Sequence, residues 1–456
     1  MPDSNKNYTQ VLAELDQWGS YESSAQTRDI SKLDGIKHLL KDLENPEKNF
    51  KIIHVAGTNG KGLTAAMISK LLEVQGFSSG CYTSPHLVDI RERITLNGRF
   101  VSESEFARSA SRVLKIAKDY KGTPYLSYFD ILTAVAFNVF LNCKMEWVVL
   151  ETGLGGRADS TNVTDKELCV LTRIGLDHQD VLGNSLKQIA SEKTGITRTG
   201  IPVIVAPQVE ELKTWLMEKF SNDNVPCFFV DDIFAREFPD QKLPPGNYTK
   251  PWMECFQTSL SAMQILFKAN SKQKQNWFKT AQKVKLPGRL DLRHNVLWSK
   301  YKKNFKTLLI DGGHNQDALL ALSEFISNNN LSPCTLILGM ASDKLHDTLR
   351  IPLKKLCKKA DLIILTSVHS PRSATPELLE SFLNNSGAME HSPEIKLTAS
   401  AEDALEMSLC SPETPVVAAG SFYLVGLVMH LLGINTCLLY TSDAADDTPC
   451  VDLGGR

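Results

Sequence analysis

The sequence predicts an α/β fold in two domains, each built on a mainly parallel sheet covered by helices. Three features predict it. Lys51-Ile52-Ile53-His54 reads as a strand, Val55 to Gly62 (VAGTNGKG) as a glycine-rich turn, and Leu63 to Gln75 as a helix closed by Gly76. Short apolar runs then alternate with helical stretches, the pattern of strands buried on both faces. A break from about Lys285 to Lys303, with Pro287-Gly288 inside it, separates two such series.

In the first series, Glu146–Leu150, Leu168–Thr172 and Ile201–Val205 read as strands. In the second, the strands are Thr307–Ile310, Thr335–Leu338, Leu362–Leu365 and Val416–Ala419, with a helix at Gln316–Ile326. The stretch from about Asp240 to Pro251 is polar and reads as a surface excursion. The expected division is a nucleotide-binding domain over 1–286, a linker over 287–299 and a second domain over 300–436. The end, 437–456 (CLLYTSDAADDTPCVDLGGR), resembles translated sequencing-adapter read-through and is expected to be a non-native tail.

Composition narrows the function. The 456 residues are 42% hydrophobic, enough for large cores, and the net charge of -2 gives no reason to expect a nucleic-acid or acidic-membrane partner. The 10 cysteines are scattered with no CxxC pair, which fits reduced thiols in a cytoplasmic protein. Met1–Tyr8 lacks the apolar segment of a secretory signal, and no apolar run reaches the roughly 18–20 residues that cross a bilayer.

Strand, glycine-rich turn and helix make a phosphate-binding loop. Backbone N–H groups at Thr58, Asn59, Gly60 and Gly62, together with the helix dipole, face phosphates, and Lys61 neutralises them. The usual Walker pattern places Ser or Thr directly after the lysine to hold Mg²⁺. Gly62 stands there, so metal ligands must come mainly from elsewhere. Ser84, Glu151 and His178 lie at strand ends and supply oxygen and imidazole donors. The turn Gly153-Leu154-Gly155-Gly156 is either an ordinary tight turn or a place where backbone approaches a ligand. Lys193, near a helix end, reads from local sequence as a solvated or helix-capping lysine. Arg289 after Pro287-Gly288, and Asp311 in Asp311-Gly312-Gly313-His314-Asn315, are placed to reach across a cleft.

These residues carry a resemblance. GTNGKG (57–62), TSPHL (83–87), RERI (91–94), YFDILTAVAF (128–137), ETGLGGRADSTNV (151–163), GLDHQDVLG (175–183), IASEKTGI (189–196), LPGR (286–289), DGGHN (311–315), LGMASDK (338–344) and AAGSFYLVG (418–426) occur in this order. Over roughly 25–432 the chain resembles folylpolyglutamate synthase and dihydrofolate synthase, a branch of the Mur ligase superfamily. The resemblance implies a P-loop-type Mur ligase ATPase domain followed by a smaller Rossmann-like α/β domain. It implies ATP contacts from Thr58 to Gly62, Gln257, Arg289 and Asp311. It implies Mg²⁺, two ions, at Ser84, Glu151, His178 and a carbamylated Lys193, with a monovalent cation besides. Lys61, His178 and Lys193 are the implied catalytic residues. Pro85, Arg91, Arg93, Tyr128, Phe129, Gly155 and Gly156 are expected to border the pterin site. The implied reaction joins L-glutamate to a folate or dihydropteroate carboxylate in a monomer. Mur-type ligation on a cell-wall nucleotide precursor, or nucleotide binding without ligation, are the alternatives. The chain departs from the family pattern at Leu63 (usually Ser), Gln257 (usually Asn) and Gln316 (usually Pro).

Overall fold

The computed structural model describes residues 6–19, 33–118, 120, 126–239, 248–368, 372–384, 393–411 and 413–436. The tail expected over 437–456 and most of the polar excursion, 240–247, lie outside the described residues. Thr249 caps the helix Lys250–Phe267, accepting a hydrogen bond from Trp252 N, so the excursion ends as an ordinary helix start.

The first sheet contains β1 (Lys51–Ala56), β2 (Ser79–Tyr82), β3 (Ile94–Leu96), β4 (Arg99–Phe100), β5 (Trp147–Glu151), β6 (Leu168–Leu171), β7 (Val203–Val205) and β8 (Cys227–Phe229). Their order is β4-β3-β2-β5-β1-β6-β7-β8, parallel except for the pairings of β3 with β2 and β4. Alternate residues face opposite layers, as the two-residue period of a strand requires. Ile52, Val148 and Leu150 pack with the helices Glu103–Ala117 and Tyr128–Asn142. Ile53, Val55 and Val149 pack with the helices Lys61–Val74, Lys250–Phe267 and Ser271–Ala281.

The second sheet contains β9 (Asp291–Trp298), β10 (Lys303–Asp311), β11 (Cys334–Leu338), β12 (Ala360–Thr366), β13 (Glu394–Thr398) and β14 (Val416–Ala419), in the order β13-β12-β11-β14-β10-β9. Only β9 runs antiparallel to its neighbour. The stretch expected as a linker, 287–299, is therefore corrected: most of it is an edge strand. Its solvent-facing charged and polar residues, the usual defence of an edge strand, disguise it as a connection.

The two sheets meet where the loop after β2 touches the helix Phe422–Leu431. Gly426 packs so closely that a Cβ there would lie 2.0 Å from Leu87 O. Leu87 also lies against Gly288, whose φ of 66° is ordinary only for glycine. Replacing Gly426 by Ala is expected to separate the second domain from this loop at a cost of about 1–3 kcal/mol. Small-angle scattering and limited proteolysis should show a more open molecule while far-ultraviolet circular dichroism stays unchanged.

Candidate active site

The loop after β1 is placed by its neighbours. Val55 pairs with Glu151 and Ala56 with Leu171. Thr152 N donates to Val55 O and Thr172 N to Ala56 O, at 2.9 and 2.8 Å. The phosphate-type loop thus lies between the carboxyl ends of β5 and β6, the expected position of a ligand crevice. Gly60 (φ 85°) precedes the helix Lys61–Val74, and no side chain caps that helix. Its first N–H groups are left for a ligand. Thr58 N and Asn59 N, by contrast, already donate to Arg173 O. Behind the loop, Cys255 of the helix Lys250–Phe267 sits 3.6 Å (Sγ) from Gly60 O. Gln257, on the same helix, is half-buried and does not line the cavity at the loop.

Glu151 is buried at the end of β5. Burial raises its pKa, opposed by Lys61, by a hydrogen bond from Ser84 N and by Arg289. Lys61 Nζ lies 3.9 Å from Glu151 Oε1, and Ser84 N donates to Oε2 at 3.0 Å. A Cβ on Gly62 would come within 3.3 Å of the same Oε2. A carboxylate from the adjacent strand thus stands beside the position where the usual pattern has a hydroxyl. Leu63, the departure one residue on, packs its side chain on the apolar cluster under the helix.

Lys193 corrects its local reading. It is only 4% exposed, and its Nζ donates to Gly57 O at 2.8 Å. Burial first, then Lys61, lowers its pKa to about 7, with Asp177 and Asp159 opposing. The amine is therefore substantially neutral near neutral pH. Gly156 explains how the lysine gets there: a Cβ on it would meet Glu192 O and Lys193 O at 2.8 Å, so the glycine-rich turn lies flat on the lysine's helix. Gly153 accepts the Phe129 ring in the same way, with a virtual Cβ 2.6 Å from it, and Phe129 stacks on Tyr82.

His178 begins a short helix in the left-handed conformation (φ 49°). Desolvation first, opposed by Asp177 and aided by Lys344 and His314, lowers its pKa to about 3, so the ring is neutral and able to act as a ligand at ordinary pH, while 39% of the side chain stays open to solvent. Gly57, Lys61, Gly153, Asp177, His178 and Lys193 line one small polar cavity. Among the described residues no group of three or more His, Cys, Asp or Glu side chains is arranged to hold a metal. The cavity itself offers the Asp177 carboxylate, the His178 imidazole and backbone oxygens, donors that suit a hard divalent cation, while Ser84 and Glu151 stand outside its lining, joined to each other through Ser84 N.

Arg289 and Asp311 meet across the start of the second domain. Asp311 accepts hydrogen bonds from Leu290 N and Gly313 N, both at 2.8 Å. Arg289 lies 3.8 Å over the Phe422 ring. Burial raises the pKa of Asp311 and lowers that of Arg289. Of the residues expected at the pterin site, Arg91 is committed to Asp89 (2.7 Å) and lies over the Tyr8 ring, and Arg93 Nε donates to His86 Nδ1 at 2.9 Å. Tyr128 is half-buried at the start of its helix, and Pro85 is exposed. The structure adds three residues that sequence reasoning does not single out: Asp177, Asn315 and Lys344. Each lies inside a quoted motif, but nothing in their spacing brings 177, 315 and 344 together.

Comparisons with known proteins identify the family and the fold. The model of the dihydrofolate synthetase C-terminal domain matches residues 293–431. The dihydrofolate synthase/folylpolyglutamate synthase of Bacillus subtilis is 31% identical over 364 residues, 74% of this chain and 81% of its own length. A Schizosaccharomyces pombe protein named probable dihydrofolate synthetase is 29% identical, covering 87% of this chain and 97% of its own. The bifunctional folylpolyglutamate synthase/dihydrofolate synthase of Yersinia pestis, complexed with AMPPNP and Mn ion, has a similar structure. Its TM-score is 0.76 at 25% identity, over 95% of this chain and all of that one. Fold, loop and likeness define an ATP-dependent ligase. The chain belongs to the dihydrofolate synthase/folylpolyglutamate synthase family of the Mur ligase superfamily.

If the carboxylate beside Gly62 does the work of the missing hydroxyl, Glu151→Gln should lower the turnover rate about a hundredfold. Its melting temperature should hold or rise, because the variant removes a buried acid. Steady-state kinetics and calorimetry on the same samples check both.

Proposed function

We propose that the cavity binds the phosphates of ATP and activates a pteroyl carboxylate for ligation to L-glutamate. The register that sets the phosphate loop between Glu151 and His178 carries this reading. In it, residues up to 286 hold the nucleotide chemistry, and those from 300 to 436 complete the site around the amine. The proposed working unit is a monomer.

A carboxylate oxygen of the pteroyl substrate attacks the γ-phosphorus, and the bond to the β,γ-bridging oxygen breaks. ADP leaves and an acyl phosphate remains. The glutamate nitrogen then bonds to the acyl carbon, the carbon–oxygen bond to phosphate breaks, and the nitrogen loses a proton. Lys61 and the N–H groups at the start of its helix bind the transferred phosphoryl oxygens. Ser84, Glu151, His178 and the modified Lys193 would hold two Mg²⁺ ions, which supply charge neutralisation on those oxygens. Arg289 and Asp311 hold the rest of the nucleotide between the domains. Phe129, against Gly153, provides an aromatic wall for the pterin side. The match to a dihydrofolate synthetase model and to the Schizosaccharomyces pombe relative favours dihydropteroate as the first acceptor.

ADP release and glutamylated product should be measured together, with ATP, Mg²⁺, K⁺ and bicarbonate, using dihydropteroate in one reaction and tetrahydrofolate in another. Product equal to ADP with dihydropteroate supports the reading, and product with tetrahydrofolate as well makes the enzyme bifunctional. ADP release that glutamate does not stimulate with either acceptor would overturn it.

Lys193 is proposed to be carbamylated. Its neutral amine bonds to the carbon of CO₂ and loses a proton, which turns a buried amine into an anionic oxygen donor. With the pKa at about 7, the neutral fraction is roughly a tenth at pH 6 and roughly nine-tenths at pH 8. At fixed dissolved CO₂ the carbamate should rise across that range. A ¹³C carbonyl resonance from labelled bicarbonate should report it and should be missing in Lys193→Met. A resonance that persists in that variant would exclude Lys193 as its source.

A further inference from the structure

The loop from Gly175 to His178 is held from the far side of the cleft, by the second domain. Asp177 is the point of attachment. Its carboxylate is about nine-tenths buried and accepts from three directions. Lys344 Nζ lies 2.6 Å from Oδ1, the His178 backbone N lies 2.8 Å from the same oxygen, and Asn315 Nδ2 lies 3.0 Å from Oδ2. Asn315 Nδ2 also donates to Asn59 Oδ1, in the phosphate loop, at 2.9 Å. Gly175 allows the approach: a Cβ there would lie 2.6 Å from Asp317 Oδ2, so the start of the helix Gln316–Asn328 sits directly on this backbone.

We propose that Asp177 is a positioning residue through which Lys344 and Asn315 tie the placement of the second domain to His178 and the phosphate loop, so that the activated carboxylate meets the amine before it meets water. The inference rests on the ligase function proposed above. Elsewhere the domains touch by packing, at Leu87 against Gly288 and Gly426, and by a hydrogen bond from Thr436 Oγ1 to Glu92 Oε1 at 2.7 Å, away from the cavity at the phosphate loop. Packing of that kind tolerates sliding. Hydrogen bonds to a buried carboxylate do not, because a displaced partner leaves a charge unpaired in a low-dielectric site. Asn315 adds register: a single amide reaches the segments after β1 and after β6, and a shift of the second domain breaks both bonds together. The clasp adjoins His178 and, through Asn59, the phosphate loop, which border the cavity where phosphoryl transfer is proposed. When it opens, water reaches the acyl phosphate and returns it to carboxylate and phosphate, so ADP appears without amide.

The test compares the intact enzyme with Lys344→Met, Lys344→Arg, Asp177→Asn, the Lys344→Met/Asp177→Asn double variant and Asn315→Asp. Asn315→Asp keeps the acceptor that caps its helix, through Ala318 N, but places an acid against Asp177. The readouts are amide formed per ADP released and the separate kcat and KM for glutamate. Amide formation by the intact enzyme tests the ligase function itself, so its failure there is distinct from failure of the clasp. The expected result is a fall of about fivefold or more in amide per ADP for Lys344→Met and Asn315→Asp, with ADP release persisting. Lys344→Arg should recover most of the ratio, and the double variant should lose no more than Asp177→Asn alone. An unchanged ratio in Lys344→Met and Asn315→Asp would overturn the clasp. So would losses that multiply in the double variant, since Lys344 would then act by a route other than Asp177, on the substrate or directly on His178, whose Nδ1 lies 3.5 Å from Lys344 Nζ.

Discussion

The parallel pairing of β1 with β5 on one side and β6 on the other is the constraint on which the site depends. A glycine-rich loop alone is a flexible turn. It becomes a binding surface because Val55 O and Ala56 O accept from Thr152 N and Thr172 N, fixing both flanking segments against its first residue. A slip of one residue in either pairing would turn Glu151 or Leu171 to the opposite face of the sheet. The apolar layers prevent that slip. Alternate residues of β1 and β5 are committed to two different clusters of buried side chains. The chemistry is held in register by hydrophobic packing that touches no ligand.

Burial then sets the charge states. Glu151 and Asp311 are pushed toward the neutral acid, and Lys193 toward the neutral amine. Asp177 goes the other way: burial opposes it, but His178, Lys344 and His314 together hold its carboxyl well below the usual range. The difference is one of partners, since Asp177 has an ammonium at hydrogen-bond distance and Glu151 has one only at 3.9 Å. A cavity with such groups is matched to charged guests. A cation beside Glu151 favours the carboxylate, and phosphate oxygens beside Lys61 and the bare helix start replace the water that burial removed.

Much of this is legible in the sequence, and the illegible parts have identifiable causes. The first β–turn–helix unit announces itself because glycine placement and apolar period agree over some twenty-five residues. Glu151 and His178 stand out because each comes at or just past the end of a strand, and the ends of parallel strands converge. Lys193 escapes a local reading because a lysine near a helix end is usually solvated. Its burial comes from Gly57, 136 positions away in the chain, and from the flat turn at Gly156. Strand β9 reads as a connection because an edge strand needs only one apolar face. Asp177, Asn315 and Lys344 carry no local signal at all. Their meaning arises only when two separately folded sheets are brought together.

The glycine after Lys61 shows how one of these causes can be read in reverse. By pattern alone Gly62 is a deficit, a missing hydroxyl at the metal. In the structure the bare Cα of Gly62 faces the Glu151 carboxylate. A Cβ at 62 would already lie 3.3 Å from Oε2, and a hydroxyl would extend further toward an oxygen that Ser84 N holds in place. A side chain at 62 would have to share this space with the carboxylate from β5, moving it by a few tenths of an ångström or bonding to it. The carboxylate brings a full negative charge where the hydroxyl brings a dipole, and it requires the segment after β2 to come close enough to fix it. Leu87 in that segment lies against Gly288 and Gly426 of the second domain. Glu151, beside the phosphate loop, is thus held by a segment that the second domain also touches, so the carboxylate and the placement of the second domain share one support.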